Sequence, residues 1–220
     1  MNTPYANVPA HDCALCPRLA EFRNQNAVKF PDFHNGPVPS FGDAGARLLI
    51  VGLAPGLKGA NRTARPFTGD YAGDLLYPPL RKFGFSRGDY SATPDDTVEL
   101  IDCRITNAVR CVPPQNKPIG AEVVACRPFF ESELLMMPKL RVVLALGGLA
   151  HKATLATLGY TQSAFKFAHA AMHEIQADQR PLLLANSYHC SRYNTNTGRL
   201  TTGMFEDVFT IVREHLDQLD

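Results

Sequence analysis

The sequence predicts an α/β fold with a central, mainly parallel four-stranded sheet. Four short runs rich in Val, Ile and Leu are bounded by Gly, Pro or Asn, as is typical of strands buried on both faces. These runs span residues 47–51, 102–106, 141–146 and 181–185. Segments with helical patterns lie between them, so strand and helix alternate along the chain. This order favours right-handed crossovers between parallel strands.

The helical segments follow from apolar spacing. We expect helices at about 72–84, 121–136 and 148–158, and Pro78-Pro79 should break or offset the first of them. A last helix closes the chain. Its apolar face consists of Phe205, Val208, Phe209, Val212 and Leu216.

Composition limits the class of protein. The chain has 220 residues, 45% hydrophobic and 20% charged, which is enough for one buried core without a disulfide framework. We therefore expect a single domain over residues 1–220. No apolar run approaches the roughly 20 residues that span a bilayer, and the N-terminus lacks a signal-peptide pattern. We expect a soluble, cytoplasmic monomer with no membrane partner.

Charge is unevenly distributed, although the formal net charge is only +1. Segments 57–65, 104–117 and 180–199 each carry three Lys or Arg residues and no acid. Acidic residues concentrate near positions 89–102 and at the C-terminus. This pattern predicts a basic face that attracts a phosphate backbone, but ordinary solvated loops explain the charges equally well.

Polar motifs follow all four predicted strands. Ala54 comes after the first strand, Asn107 after the second, Gly147-Gly148 after the third and His189 after the fourth. Ligands of open α/β sheets bind beyond the carboxyl ends of the strands, so these residues should meet at one rim. Gly147-Gly148 is best interpreted as a tight turn. The segment 52–56 matches neither a dinucleotide fingerprint nor a phosphate loop.

Four cysteines suggest a metal site. Cys13 and Cys16 form a CxxC pair, and Cys111 and Cys126 supply a second pair with fourteen residues between them. Four thiolates suit either an iron-sulfur cluster or tetrahedral zinc, and their spacing alone does not decide. The two remaining cysteines differ from these. Cys103 falls inside a predicted strand, and Cys190 is adjacent to His189 but should point away from it.

Five motifs stand in fixed order along the chain: 52–56 (GLAPG), 61–63 (NRT), 65–70 (RPFTGD), 105–111 (ITNAVRC) and 189–194 (HCSRYN). Together they resemble the type-B, or family-five, uracil-DNA glycosylases. The resemblance runs from Cys13 to the final helix, and Ala54 stands where the neighbouring iron-sulfur family-four enzymes usually carry an acid. It implies a three-layer α/β/α sandwich and a 4Fe-4S cluster, held by the four cysteines of an N-terminal arm and the region after the second strand.

The resemblance also implies roles for individual residues. Phe67 would stack on a base flipped out of the duplex, and Asn107 would hydrogen-bond the polar edge of that base. His189 would donate a hydrogen bond to the carbonyl oxygen of the departing base, in either a neutral or a charged state. By the same resemblance, Gly52 and Gly56 would belong to the substrate-binding site.

Ala54 raises the question of what holds the attacking water. Related glycosylases place a carboxylate or amide there, and a methyl group has no proton to exchange. Asn61 is our candidate because it matches a polar family position in the same loop. An amide can only orient water, so we expect a dissociative reaction in which the glycosidic bond largely breaks before water adds.

The resemblance implies double-stranded DNA containing deaminated bases as the partner. Substrates would be uracil and, by extension, hypoxanthine and modified pyrimidines, and the product an abasic site, because no motif places a lyase-type lysine. The segment from Arg192 and Tyr193 would press into the duplex. Cys190, at a position commonly held by proline, should leave this loop less rigid. Predicted DNA contacts are Arg62, Arg65, Arg192, Tyr193 and Arg199.

Two other classes remain open on sequence alone. One is a non-catalytic nucleic-acid-binding module stabilised by a metal site of four cysteines. The other is a zinc-stabilised domain of unrelated function. Asn107 and His189 are both intact, which favours the enzyme.

Overall fold

The computed structural model describes residues 7–219 and is built around a five-stranded sheet of order β4-β1-β5-β7-β6. A separate two-stranded hairpin pairs β2 with β3. The strands are β1 Leu48–Gly52, β2 Ser86–Arg87, β3 Glu99–Leu100, β4 Cys103–Asn107, β5 Val142–Leu146, β6 Met172–Ala177 and β7 Arg180–Ser187. The α-helices are α1 Pro17–Lys29, α2 Ala60–Thr63, α3 Tyr71–Lys82, α4 Gly120–Leu135, α5 Gly148–Thr157, α6 Arg192–Asn196 and α7 Thr202–Asp217.

The four predicted strands correspond to β1, β4, β5 and β7, and each neighbouring pair among them is parallel. The mainly parallel sheet is therefore confirmed, with one strand more than expected. The additional strand, β6, pairs antiparallel with β7 at the edge. Between them lie Asp178 and Gln179, both with left-handed φ of 48° and 63°, the conformation of a tight hairpin turn. Asp-Gln is not a typical sequence for such a turn, and most of β6 is partly exposed, so its local signature is weak.

Helices cover both faces of the sheet, which gives three layers. Alternate residues of β1 point to opposite sides, as the pleat requires. Leu48 and Ile50 pack with α3 and α7, whereas Leu49 and Val51 pack with α4 and α5. The predicted apolar face of α7 is buried along its whole length.

Helix α3 differs from the expectation that Pro78-Pro79 would interrupt it. The helix continues through both prolines to Lys82. Each proline removes one backbone donor, but Leu76 and Leu80 on the same helix are fully buried. Packing of this face evidently outweighs the lost hydrogen bonds. Asp70 begins the helix, because its Oδ1 accepts a hydrogen bond from the Ala72 N–H at 3.2 Å.

The expected domain of residues 1–220 includes residues 1–6 and 220, which lie outside the described part of the chain. Within residues 7–219, no helix combines the length and apolar character needed to cross a membrane.

Candidate active site

A cavity of about 500 Å³ opens at the carboxyl edge of the parallel strands. The loops after β1, β4, β5 and β7 all contribute to its wall, so the four predicted strand ends do meet at one rim. Residues that line it from these loops and from the first turn of α3 include Ala54, Gly56, Phe67, Asp70, Tyr71, Asn107, Gly147, His189 and Arg192.

Phe67 and Asn107 lie side by side because Gly52 leaves room for them. Gly52 pairs with Asn107 across the parallel strands. A Cβ on Gly52 would lie 2.3 Å from Asn107 Oδ1 and 2.7 Å from Phe67 Cζ, closer than any real contact. In the described part of the chain the Asn107 amide makes no side-chain hydrogen bond, although only 3% of the residue is exposed. Its donor and acceptor are therefore both available to a ligand.

The backbone of Phe67 is in a strained conformation. Its φ of 52° is left-handed, a region that a bulky aromatic residue rarely adopts. The Tyr90 hydroxyl lies 3.5 Å from the Phe67 carbonyl oxygen, to which it donates, and 3.4 Å from the Gly69 nitrogen, from which it accepts. Surrounding contacts thus hold the Phe67 ring against the cavity.

His189 faces Phe67 across the same cavity, with ring centroids 6.1 Å apart and an interplanar angle of 31°. Burial lowers the pKa of His189 below its ordinary value. The imidazole is therefore neutral at neutral pH. Gly147, with a φ of 100° that glycine favours, passes close to the Cβ of His189.

Asp70 is a cavity residue to which sequence reasoning assigned no role. Burial raises its pKa above the ordinary value, against the effect of hydrogen bonds from the backbone of Gly73 and Ala72. Glycines make space for the carboxylate, since a Cβ would lie 2.8 Å from Asp70 Oδ2 at Gly56 and 2.1 Å at Gly59. The available signals were the acid at the end of the 65–70 motif and two glycines in the preceding loop.

Asn61, the predicted water-positioning residue, is fully buried and is not among the residues that line the cavity. Its Nδ2 donates to Asn35 Oδ1 at 3.0 Å, and its buried Oδ1 has no hydrogen-bond partner among residues 7–219. Ala54 does line the cavity and contributes only a methyl group. The carboxylate on the cavity wall therefore belongs to Asp70.

Three of the predicted DNA contacts lie exposed near the cavity. The guanidinium of Arg192 lies 5.2 Å from the centre of the Tyr71 ring at the cavity wall. Tyr193, the next residue on α6, is 72% exposed. Arg199 lies 4.5 Å from the ring centre of Tyr188, the residue before His189. These side chains are accessible to a large ligand.

Arg62 is also exposed, but its guanidinium is partly engaged. Its Nε donates to the carbonyl oxygen of Lys58 at 2.9 Å. Its Nη2 lies 3.5 Å from the carbonyl oxygen of Gly69. Arg62 therefore links the loop after β1 to the loop that carries Phe67.

Arg65 does not reach the surface. It is buried and binds Asp96 with two hydrogen bonds of 2.7 and 2.6 Å. Arg104 and Arg110 both pair with the buried Glu133. Arg180 donates to the carbonyl oxygens of Met137 and Pro138, which lie between α4 and β5 at the opposite end of the sheet. The basic face is therefore smaller than the sequence predicted, because acids distant along the chain neutralise part of it.

The four predicted metal-ligating cysteines lie around one small cavity. Cys13 and Cys16 precede α1, Cys111 follows β4 and Cys126 lies in α4. Apolar side chains of Leu19, Val109 and Phe129 pack around them. The structure thus brings together all four thiols from distant parts of the chain.

The thiol cavity suits a thiolate-bound metal group in donor type, although its side chains are not in a closed ligand arrangement. Within residues 7–219, no group of three or more His, Cys, Asp or Glu is arranged so that it could hold a metal ion. Two donors already face sulfur: the Arg110 backbone N–H is 3.4 Å from Cys126 Sγ, and Arg23 Nη1 is 3.9 Å from Cys111 Sγ. Such hydrogen bonds stabilise thiolates.

The protonation state of these thiols depends on burial. Burial, followed by the negative charges of Cys126, Glu122 and Cys13, raises the pKa of Cys16 to about 11. Burial is also the main reason that the pKa of Cys111 rises to about 12. Without a metal, Cys16 and Cys111 are therefore protonated at neutral pH, and metal binding to these two thiols must release protons.

Comparisons with known proteins agree with this architecture. The model of the uracil DNA glycosylase superfamily matches residues 39–213. A type-5 uracil-DNA glycosylase from Thermus thermophilus is 46% identical over 201 residues, 89% of this chain and 90% of that protein. One from Mycobacterium leprae is 40% identical over 214 residues, covering 94% and 92%. A type-4 uracil-DNA glycosylase from Pyrobaculum aerophilum is 34% identical over 138 residues, covering 61% and 62%.

The type-5 relatives match this chain over more of its length, and at higher identity, than the type-4 protein. The family suggested by the sequence motifs is thereby confirmed. The chain belongs to the uracil-DNA glycosylase superfamily, and within it to the type-5 enzymes.

Proposed function

We propose that this protein removes uracil from double-stranded DNA by hydrolysing its N-glycosidic bond, the step that initiates base excision repair. The observation that carries the proposal is one cavity lined by an aromatic ring, a free amide, a neutral imidazole and a carboxylate. These groups are Phe67, Asn107, His189 and Asp70. Together they supply stacking, edge recognition, stabilisation of the leaving group and water activation.

Base recognition rests on Phe67 and Asn107. A base inside a duplex is out of reach, so the nucleotide must be flipped out, at a cost of about a few kcal/mol. Stacking on Phe67 offsets part of this cost. The Asn107 amide offers one acceptor and two donors to the polar edge of the base. Gly52 makes this arrangement possible, because any side chain there would displace both groups.

Departure of the base rests on His189. As the bond between C1′ of the sugar and the base breaks, its electron pair moves onto the base, and negative charge grows on the carbonyl oxygen. A neutral imidazole can donate an N–H hydrogen bond to that oxygen. Because burial keeps the pKa of His189 low, no proton has to be removed or added before the reaction.

Water activation rests on Asp70, which replaces our sequence-based candidate Asn61. Water adds to C1′, and the carboxylate orients the water and takes its proton. The raised pKa of Asp70 strengthens it as a base, because a carboxylate with a higher pKa binds a proton more tightly. Asn61 instead stabilises the loop after β1 through its hydrogen bond to Asn35.

Duplex binding rests on the exposed residues beside the cavity. Arg192 and Arg199 are placed to meet backbone phosphates, and Arg62 can add charge from the other side. The exposed Tyr193 ring is suited to fill the space that the flipped nucleotide leaves. Arg65 has no part in this proposal because Asp96 occupies its guanidinium.

We further propose that Cys13, Cys16, Cys111 and Cys126 hold a 4Fe-4S cluster. When bound, the cluster would crosslink the N-terminal arm to α4 and to the segment after β4. No step of the reaction involves it, since the thiols line a cavity separate from the one that holds Asp70 and His189.

The substrate range extends, in this proposal, to hypoxanthine and modified pyrimidines. Small residues line much of the cavity wall, including Ala54, Ala72, Gly147 and Gly148. The volume of about 500 Å³ exceeds what a single pyrimidine ring needs. In the described part of the chain no lysine lines the cavity, which favours a monofunctional enzyme that leaves an abasic site.

The deciding experiment uses duplexes that carry uracil, hypoxanthine or thymine opposite guanine. We expect free uracil to appear, and strand breakage only after alkali treatment. Breakage without alkali would contradict the monofunctional assignment. A protein that binds the duplex but releases no base would support the alternative of a non-catalytic nucleic-acid-binding module.

A further inference from the structure

His169 lies behind the strand end that carries His189. Its Nδ1 is 3.2 Å from the backbone nitrogen of Tyr188, and its Nε2 is 3.2 Å from the carbonyl oxygen of Met204 in α7. The His169 and Tyr188 rings stack with centroids 5.1 Å apart. Arg199 covers Tyr188 as well, so an imidazole and a guanidinium both hold this side chain.

These contacts fix the tautomer of His169. A backbone N–H can only donate, so Nδ1 must accept from Tyr188. A carbonyl oxygen can only accept, so Nε2 must carry the hydrogen. Both bonds are satisfied together only by the neutral Nε2–H form. Burial lowers the pKa of His169, which agrees with a neutral ring.

The segment that carries His169 is itself fixed to the sheet. The Ala170 N–H donates to the carbonyl oxygen of Asn186 at 2.9 Å. In return, Asn186 Nδ2 donates to the carbonyl oxygen of Ala171 at 3.0 Å. These two hydrogen bonds fix the backbone that carries His169, and so hold its ring against Tyr188.

The imidazole of His189 depends on its backbone for orientation, because within residues 7–219 it makes no side-chain hydrogen bond with the protein. After His189, its carbonyl oxygen accepts from Asn194 Nδ2 at 2.8 Å. Before it, Tyr188 is held by His169 and by Ser187 Oγ, which donates to the Tyr188 carbonyl oxygen at 2.9 Å. His169 thus holds the backbone immediately before His189 in place.

We propose that His169 is a positioning residue for uracil excision, which holds the Tyr188–His189 segment through a neutral imidazole and releases it when protonated. This inference rests on the proposed role of His189. Protonation would place a second N–H against the Tyr188 N–H, so an attractive contact would become a repulsive one.

One charged group acts directly on His169, and a second packs on the Tyr188 ring that stacks against it. Asp207 of α7 favours protonation, and Arg199 is the cation that packs on the Tyr188 ring. Because the pKa of His169 is lowered, the switch acts below the ordinary titration range of histidine. Activity should therefore fall as the solution becomes acidic.

The test compares His169→Asn, His169→Gln and His169→Ala in single-turnover assays on a uracil duplex between pH 5 and 8. Asn can place Oδ1 where Nδ1 accepts and does not titrate, whereas Gln reaches only the Nε2 position. We expect His169→Ala and His169→Gln to be about tenfold slower at neutral pH, with duplex affinity unchanged. His169→Asn should recover most of the rate and lose less of it at low pH than wild type.

A second readout does not depend on activity. In wild type the NMR signal of the Tyr188 backbone amide should shift as His169 titrates, and His169→Asn should abolish that shift. His169→Ala should also move the ring signals of His189. The proposal would be overturned if the NMR signal of the Tyr188 amide in wild type did not change with pH. Equal single-turnover rates in His169→Ala and wild type would also overturn it. Failure of wild type to release uracil would instead refute the proposed function, while these NMR signals would still report on the contact between His169 and Tyr188.

Discussion

At the scale of single residues, the side chains of Asp70, Asn107 and Asn61 differ in whether they face the cavity. Asp70 faces the cavity, and Asn107 faces it with a free amide. Asn61 lies behind the wall, where its side-chain Nδ2 donates to Asn35 Oδ1. We therefore expect substitution of Asp70 to lower the reaction rate and substitution of Asn61 to lower the stability of the protein.

Asp70→Asn should lower the single-turnover rate of uracil release by about 10²- to 10⁴-fold, the usual contribution of a general base. Stability should not fall, because Asn is an equally good helix N-cap for α3 and avoids the cost of burying a charge. The fold raises the pKa of Asp70, so wild-type ionisation is disfavoured relative to the unfolded chain. Rates and thermal melts would be compared with those of Asp74→Asn, an exposed acid on the same helix. An unchanged rate in Asp70→Asn would exclude Asp70 as the base.

Asn61→Ala should act mainly on stability. Removing the amide leaves Asn35 Oδ1 without its partner in a buried position, which typically costs about 1–3 kcal/mol. Urea unfolding would measure this loss. The single-turnover rate at a temperature where the variant is fully folded should change less than it does for Asp70→Asn. A rate loss as large as that of Asp70→Asn, without destabilisation, would restore Asn61 as the residue that positions water.

Among the helices and strands, close approach between strand ends builds the site, and ion pairs fix the elements that carry it. The loop after β1, the end of β4 and the strained turn at Phe67 converge at Gly52. On the other side of the sheet, α4 contributes Glu133, which binds Arg104 in β4, Arg110 after it and Ser40 before β1.

Gly52→Ala should abolish most activity while the protein still folds. The new Cβ would meet Asn107 Oδ1 and the Phe67 ring, and both are cavity residues that would have to move. Displacements near 1 Å can cost about 100-fold in rate. Gly203→Ala in α7 is a matched control, since nothing lies within 4 Å of its added Cβ and it should be fully active. Full activity of Gly52→Ala would show that the base does not bind between these groups.

Glu133→Gln should destabilise the protein by about 3–5 kcal/mol at neutral pH, because the buried guanidinium of Arg110 and the partly buried guanidinium of Arg104 lose their counter-charge. Burial alone would raise the pKa of Glu133, but Arg110 and Arg104 outweigh burial and lower it. Its stabilising effect is therefore complete above the unfolded-state pKa and disappears as pH falls through the folded-state value. Urea unfolding from pH 7 down to pH 3 should show a difference between wild type and variant that shrinks with acidity. A constant difference would contradict this assignment.

At the scale of the whole molecule, the chain forms two separate cavities. The cavity at the carboxyl edge of the sheet holds the residues proposed for the reaction, and the thiol cavity links α1, α4 and the segment after β4. The thiol cavity joins segments that are far apart in the sequence. Binding of a metal cluster there should therefore affect the global stability of the protein more than the rate of the reaction.

Anaerobic purification should yield a brown protein whose visible absorbance bleaches on reduction. Cys13→Ser should lose this colour and melt at a lower temperature, since it removes one of the four proposed cluster ligands. Cys103→Ala is the control, because Cys103 lies in the core of β4 and should leave the colour intact. A colourless wild type that contains zinc would refute the 4Fe-4S assignment.

Much of the fold was predictable because buried parallel strands have a strong local signature. The runs at β1, β4, β5 and β7 are continuous stretches of apolar residues, and their order with the helices favours one parallel topology. The edge strand β6 was missed because its alternating, partly exposed residues resemble a loop. Helix α3 passed through two prolines because tertiary packing, which no local pattern reveals, held it together.

The order of amino acids was enough to establish which chemical groups stand at the ends of the strands, since parallel strands bring their carboxyl ends to one edge. It thereby predicted that Ala54, Asn107 and His189 would meet at one rim, whereas the resemblance to the family implied that Phe67 would join them and that the four cysteines would hold one cluster. The folded chain was needed to establish that Asp70, not Asn61, faces the cavity, and that Arg65 and Arg110 serve buried acids. Burial and pairing depend on contacts between distant segments, such as Arg65 with Asp96, and these contacts exist only once the chain has folded.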